Sequence, residues 1–188
     1  VIISLIANKG GVGKTTLCLL LHEAIRLGGR SVAVRDLDNI QRSATKALDR
    51  FGGTRETPGR AYEYLLVDTP PSLASPATAS AAGLADLILI PTSPSPVDLW
   101  EAEAAVQYAR RKKPQAAVRL VLNRVKAGTL LSGTIDDNLE AGAPACAARI
   151  ADRQSFQHLL VAGWTALDPK AQKEGLALRD EIIGLAAR

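Results

Sequence analysis

Short, almost wholly apolar runs alternate along this chain with stretches of helical periodicity. The runs cover residues 1–7, 31–38, 64–68, 85–92 and 118–125. Each holds mainly Val, Ile, Leu and Ala without the polar alternation of a half-exposed strand, so each predicts a strand buried on both faces. Helical patterns follow over 15–27, 75–84, 97–111 and 169–187. Strand followed by helix, repeated, is the signature of a mostly parallel, twisted α/β sheet flanked by helices. The chain has 188 residues and is 47% hydrophobic, enough for one well-buried unit, and no repeat or long linker divides 1–188. The segment 48–61 breaks the rhythm and reads as a helix end and a loop.

Between the first strand and the first helix lies Lys9-Gly10-Gly11-Val12-Gly13-Lys14-Thr15-Thr16. Polyphosphate is densely anionic, so a site for it needs converging backbone N–H donors, the positive end of a helix and a lysine. The glycines let the backbone approach closely. Lys14 is placed for the β- and γ-phosphates, Thr15 for a magnesium ion that bridges them, and Thr16 for the α-phosphate. The arrangement suits a loop that holds the phosphates of a nucleoside triphosphate.

Three aspartates end strands: Asp36 and Asp38 after the second, Asp68 after the third. Strand C-termini face the ligand in a parallel sheet, which brings these carboxylates toward the loop and its metal. Any one of them is equally suited to cap the following helix. The fifth strand runs into Asn123-Arg124, where an asparagine serves as a turn former or as a paired donor and acceptor.

The pattern K-G-G-x-G-K-T-T resembles the deviant Walker A box of the ParA/MinD family of ATPases. The resemblance extends to the exit Pro91-Thr92-Ser93-Pro94-Ser95-Pro96 and is strongest toward short ParA-type partition proteins. It implies that Lys9 crosses a dimer interface to the partner's ATP. It further implies that Asp38 orients the attacking water, Asp36 neighbours the metal shell, Asp68 holds magnesium through water, and Asn123 reads adenine. The expected activity is weak ATP hydrolysis with ATP and Mg2+ as cofactors, using Lys9, Lys14 and Asp38. The implied partners are a second copy of the chain, nonspecific double-stranded DNA and a ParB-like adaptor that stimulates hydrolysis, driving plasmid or chromosome segregation. The alternatives are a ParA-like ATPase that positions a protein cargo, such as a carboxysome or chemoreceptor cluster, and a MinD-like membrane-associated ATPase.

The chain also departs from that pattern. Asn39-Ile40-Gln41-Arg42-Ser43 follows the D-x-D box where relatives carry Pro-Gln-Gly, with one residue more, and Arg35 stands at a usually apolar position. Relatives place about two further elements where this chain has only 48–61. The sequence starts directly with the first strand, so no N-terminal DNA-reading extension and no operator-specific autoregulation are expected.

Charge refines the partner. Residues 1–109 hold ten Lys and Arg against eleven Asp and Glu, whereas 110–188 hold thirteen against eight. A basic face suits sequence-independent contact with DNA phosphates, and Arg149, Arg153, Lys170 and Lys173 are the candidates; solvated surface charge is the plainer reading of each. No apolar stretch reaches the roughly 18 residues of a membrane span, and acids interrupt the apolar face of 176–185, so no membrane association is expected. Cys18 and Cys146 lack disulfide or metal spacing, and no cysteine after Asp68 suits an iron–sulfur bridge between subunits. His22 and His158 read as ordinary helix residues. A cytoplasmic, nucleoid-associated protein is the expectation.

Overall fold

The strand that precedes the glycine loop forms the middle of the sheet. In the computed structural model, which describes residues 1–126 and 142–186, β1 (Ile2–Leu5) pairs in parallel with β3 (Tyr64–Asp68) on one side and β4 (Leu87–Thr92) on the other. β2 (Val32–Asp36) adds outside β3, and β5 (Ala117–Leu122) outside β4. Among the described residues the order is β2-β3-β1-β4-β5, all parallel. The direction of strand succession reverses at β1, and ligands of open α/β sheets bind in the crevice at such a point. Asp36 and Asp68 are paired in register at the strand ends, with Leu5 beside Asp68.

Helices cover both faces. α1 (Lys14–Leu27), α2 (Ser43–Phe51), α5 (Ser155–Ala162) and α6 (Pro169–Ala186) share one core, whereas α3 (Pro76–Leu84) and α4 (Pro96–Lys112) share the other. The run Leu17 to Leu21 is apolar all round the helix, and all five residues are buried, because α1 lies between the sheet and the C-terminal helices. Each such leucine contributes about 1.5–3 kcal/mol by leaving water, so the helix that carries the loop is anchored along its length. The apolar stripe Ala171, Leu178 and Ile182 of α6 is spent in that same core. Among the described residues no helix is long and apolar enough to cross a membrane.

The expected strands and helices form, with shifts at their ends. The fifth strand stops at Leu122 instead of continuing to residue 125, because Arg124 takes a left-handed conformation, φ 56°. The second strand stops at Asp36, which leaves Asp38 in a turn. Both α2 and α5 go beyond the helical patterns read from the sequence. In α2, Ala44, Ala47, Leu48 and Phe51 do carry helical spacing, and these residues pack in the core.

Both sheet edges are covered by irregular chain, a protection against edge-to-edge pairing. Beside β2, Val34 N–H donates to the Thr54 carbonyl and Glu56 N–H to the Val34 carbonyl. The unexpected Arg35 is explained here, since its guanidinium forms a two-pronged pair with Glu56. Beside β5, Cys146 and Ile150 donate to Leu120 and Leu122. The short 48–61 segment thus works as an edge cover in place of further elements.

A buried polar clip ties α1 to its surroundings. His22 Nε2 accepts from Thr54 N–H at 3.1 Å, and the Glu23 carboxylate accepts from Arg26 at 2.9 Å and from Trp164 N–H at 3.3 Å. Burial alone raises the Glu23 pKa, but His22 Nδ1 lying 3.3 Å from the carboxylate and the Arg26 hydrogen bonds outweigh it and hold the carboxyl at about 2, below its ordinary 4.5. A depressed carboxyl stabilises the fold above its unfolded pKa and loses that contribution as pH falls toward the folded value. Glu23→Gln is expected to lower the unfolding free energy at pH 7 by about 2–3 kcal/mol, a gap that narrows from pH 4.5 downward in urea titrations. An equal gap at pH 7 and pH 3 would contradict the assignment.

Candidate nucleotide site

The loop after β1 is shaped by two left-handed glycines, Gly11 at φ 81° and Gly13 at φ 97°. Gly13 immediately precedes α1, and a Cβ there would lie 2.1 Å from Asn123 Nδ2. The Asn123 amide donates to the Val12 carbonyl at 2.9 Å from a buried position, so it braces the loop from beneath. The resemblance implies an adenine contact for Asn123; its amide nitrogen is committed to the loop, while its carboxamide oxygen makes no hydrogen bond among the described residues.

Around the loop gather Gly10, Gly11, Gly13, Lys14, Thr15, Thr16, Asp38, Gln41, Thr69, Pro71 and Arg124, which line one polar cavity. Val12 is buried behind it and offers its carbonyl to Asn123. Lys14 is buried, and its Nζ donates to the Lys9 carbonyl at 3.2 Å. Burial lowers its pKa from the ordinary value, while Asp68 and Asp38 pull the other way. Thr15 Oγ1 donates to Asp68 Oδ2 at 2.6 Å, and Asp68 Oδ1 is buried without a hydrogen-bond partner among the described residues. Burial pushes the Asp68 carboxyl up to about 7, with the Thr15 hydrogen bond opposing it and Asp36 adding to it.

That orphaned oxygen beside a threonine hydroxyl fits a magnesium ion. Magnesium takes one or two protein oxygens and completes its shell from water and phosphate. Among the described residues no group of three or more His, Cys, Asp or Glu gathers to form a full protein cage.

Asp36 and Asp38 divide differently from the expectation. Asp36 Oδ1 accepts from Asp38 N–H at 3.0 Å, and its Oδ2 accepts from Thr45 N–H and Oγ1 at 2.9 and 3.0 Å. It is therefore occupied in fastening the start of α2, and it stands in register beside Asp68 without lining the cavity. Asp38 faces the cavity; its Oδ1 accepts from Ile40 and Gln41 N–H at 3.2 and 3.0 Å. Arg42 adopts φ 51° just before α2, at a cost of about 1 kcal/mol.

Lys9 sits at the rim with 42% of its side chain exposed, paired with Asp98 of α4. Asp98 also accepts from Ser93 Oγ at 2.6 Å, and Glu101 accepts from Asn8 at 2.9 Å. Asp98 escaped sequence reasoning because Ser95-x-x-Asp98 looks like simple helix capping. Ser95 Oγ does accept from Asp98 N–H at 3.2 Å, but the carboxylate turns to Lys9 and Ser93.

The basic candidates lie elsewhere. Lys170 and Lys173 are exposed on α6. Arg153 is held by Glu174 at 2.7 Å and Arg149 donates to the Cys146 carbonyl, so these two candidate arginines are engaged within the chain.

Residues 3–163 match the family model of the CobQ/CobB/MinD/ParA nucleotide binding domain. The chain belongs to this family. The Maintenance of carboxysome distribution protein A of Halothiobacillus neapolitanus is 27% identical over 202 residues, covering 94% of this chain and 91% of that protein. Among solved structures, apo McdA of Cyanothece superposes with a TM-score of 0.77 at 13% identity, covering 96% of this chain and 98% of that one. A putative plasmid partition protein of Borrelia burgdorferi bound to AMPPNP gives 0.75 at 14%, covering 97% and 98%. At such identities the two structures establish the ParA/MinD fold and no more.

Asn123→Ala removes the brace of this family's phosphate loop and leaves the Val12 carbonyl unpaired. It is expected to cost about 1–3 kcal/mol of stability in urea unfolding and to weaken nucleotide binding. Unchanged values of both would contradict the bracing role.

Proposed function

We propose that this chain is a ParA-type ATPase that positions a protein cargo. ATP and magnesium join two copies face to face, the dimer rides on duplex DNA without sequence preference, and a cargo-bound adaptor triggers hydrolysis and release. The observation that carries this reading is Lys9, a second lysine beside a phosphate loop already served by Lys14, partly buried at the rim and held by the Asp98 carboxylate.

Val97 and Trp100 stand exposed on α4 in the same region as the Lys9–Asp98 pair, with Trp100 at 68%. A second copy of the chain covers them in this arrangement.

Each residue then has a task. The loop N–H groups of Gly10 to Thr16 and the start of α1 take the phosphates. Thr15 and Asp68 would hold a magnesium ion, whose charge would offset that of the polyphosphate. Asp38, whose Oδ2 makes no hydrogen bond among the described residues, orients the attacking water, and Lys14 with the partner copy's Lys9 steadies the charge spreading over the γ-phosphoryl group. Asn123 offers its free carboxamide oxygen to the adenine amino group. Residues 1–188 act as one ATPase unit associated with the nucleoid, and Lys170 and Lys173 are the leading DNA contacts.

The cargo is read from the relatives. A protein named for carboxysome distribution aligns over nearly the whole chain, which favours protein cargo over the plasmid or chromosome segregation, with a ParB-like adaptor, that the motifs first suggest. The burial of the apolar stripe of α6 disfavours membrane attachment through that helix.

The test is fluorescence anisotropy of an arbitrary labelled duplex with ATP, with ADP and without nucleotide across a salt series. Binding is expected with ATP alone, to weaken as salt rises, and to vanish in Lys14→Ala. Equal binding in all three nucleotide states would contradict a nucleotide-gated DNA carrier.

A further inference from the structure

Arg124 is a strained cation at the mouth of the nucleotide cavity. Its φ of 56° is one of two left-handed values among the described non-glycine residues, a conformation that disfavours an ordinary L side chain. The chain does not drift into it. On one side Asn123 N–H donates to the Thr92 carbonyl at 2.8 Å and its amide clamps Val12. On the other, Val125 N–H donates to Ile150 and the Val125 carbonyl accepts from Asp152, both at 3.0 Å. The backbone is therefore fixed both before and after a residue that glycine or asparagine would occupy with less strain.

What this placement supplies is a guanidinium beside the loop. Arg124 is exposed, lines the same cavity as Gly13, Lys14 and Thr16, and makes no hydrogen bond or ion pair among the described residues. Asp98 lies close enough to feel its charge. A conformationally costly residue held at a site and left without a partner points to a ligand that the cavity receives. A guanidinium offers several N–H donors in a planar fork, which matches phosphate oxygens.

We infer that Arg124 is a nucleotide-binding residue, its guanidinium holding the polyphosphate of bound ATP from the wall of the cavity. This rests on the nucleotide-binding reading above.

Isothermal titration with ATP and with adenosine, in the presence of magnesium, tests it on the full chain. Arg124→Gly relieves the backbone, so the nucleotide-free protein is expected to melt no lower than the wild type while its ATP affinity falls about tenfold. Arg124→Gln keeps a long polar side chain and removes the charge, and it is expected to lose a similar factor; adenosine binding stays as in the wild type. Either variant binding ATP as tightly as the wild type would overturn the inference, as would an equal loss for adenosine. A wild type that binds no ATP would instead sink the nucleotide-binding reading itself.

Discussion

The left-handed turn at Gly13, with the Asn123 amide pressed against it, is the constraint on which the rest of the site depends. No side chain fits there, since a Cβ would collide with Asn123 Nδ2. The turn sets the direction in which α1 leaves the loop, and thereby places Lys14 in its buried position and Thr15 on Asp68. Because Leu17 to Leu21 are buried between the sheet and the C-terminal helices, α1 cannot relax the geometry by shifting. A phosphate site built this way is preorganised: the desolvation of Lys14 and Asp68 is met by the fold before the nucleotide arrives.

The rim of the site is arranged in the opposite manner. Lys9 and Asn8 are held by Asp98 and Glu101 on α4 through partly exposed contacts, which solvent screens and which are individually weak. A rigid interior thus surrounds the phosphate loop, whereas the rim is held by weaker, partly exposed contacts. The segment after Asp38 belongs to the rim as well, with Ile40 94% exposed and Arg42 in a strained turn.

Much of this was legible in the sequence because the relevant signals are local. Five apolar runs gave the strands, and glycine spacing with two lysines gave the loop. What stayed hidden depends on contacts between distant segments. The Asn123 brace joins residues 111 positions apart, and nothing near residue 123 announces Val12. Asp98 resembles a helix cap, Asp36 proves to fasten α2, and Arg35 makes sense only beside Glu56. Arg149 and Arg153 looked free for DNA because a linear reading does not reveal the Cys146 carbonyl or Glu174 as their partners. The edge covers escaped notice since irregular backbone has no periodicity to detect.

The central claim is that Lys9 exchanges Asp98 for the nucleotide of a second copy. Its most direct test is the solution mass of the protein with ATP and magnesium, measured by sedimentation for the wild type and for Lys9→Ala. The account predicts a dimer for the wild type with ATP, a monomer with ADP, and a monomer for Lys9→Ala even when ATP is bound. A Lys9→Ala protein that dimerises with ATP as fully as the wild type would contradict it.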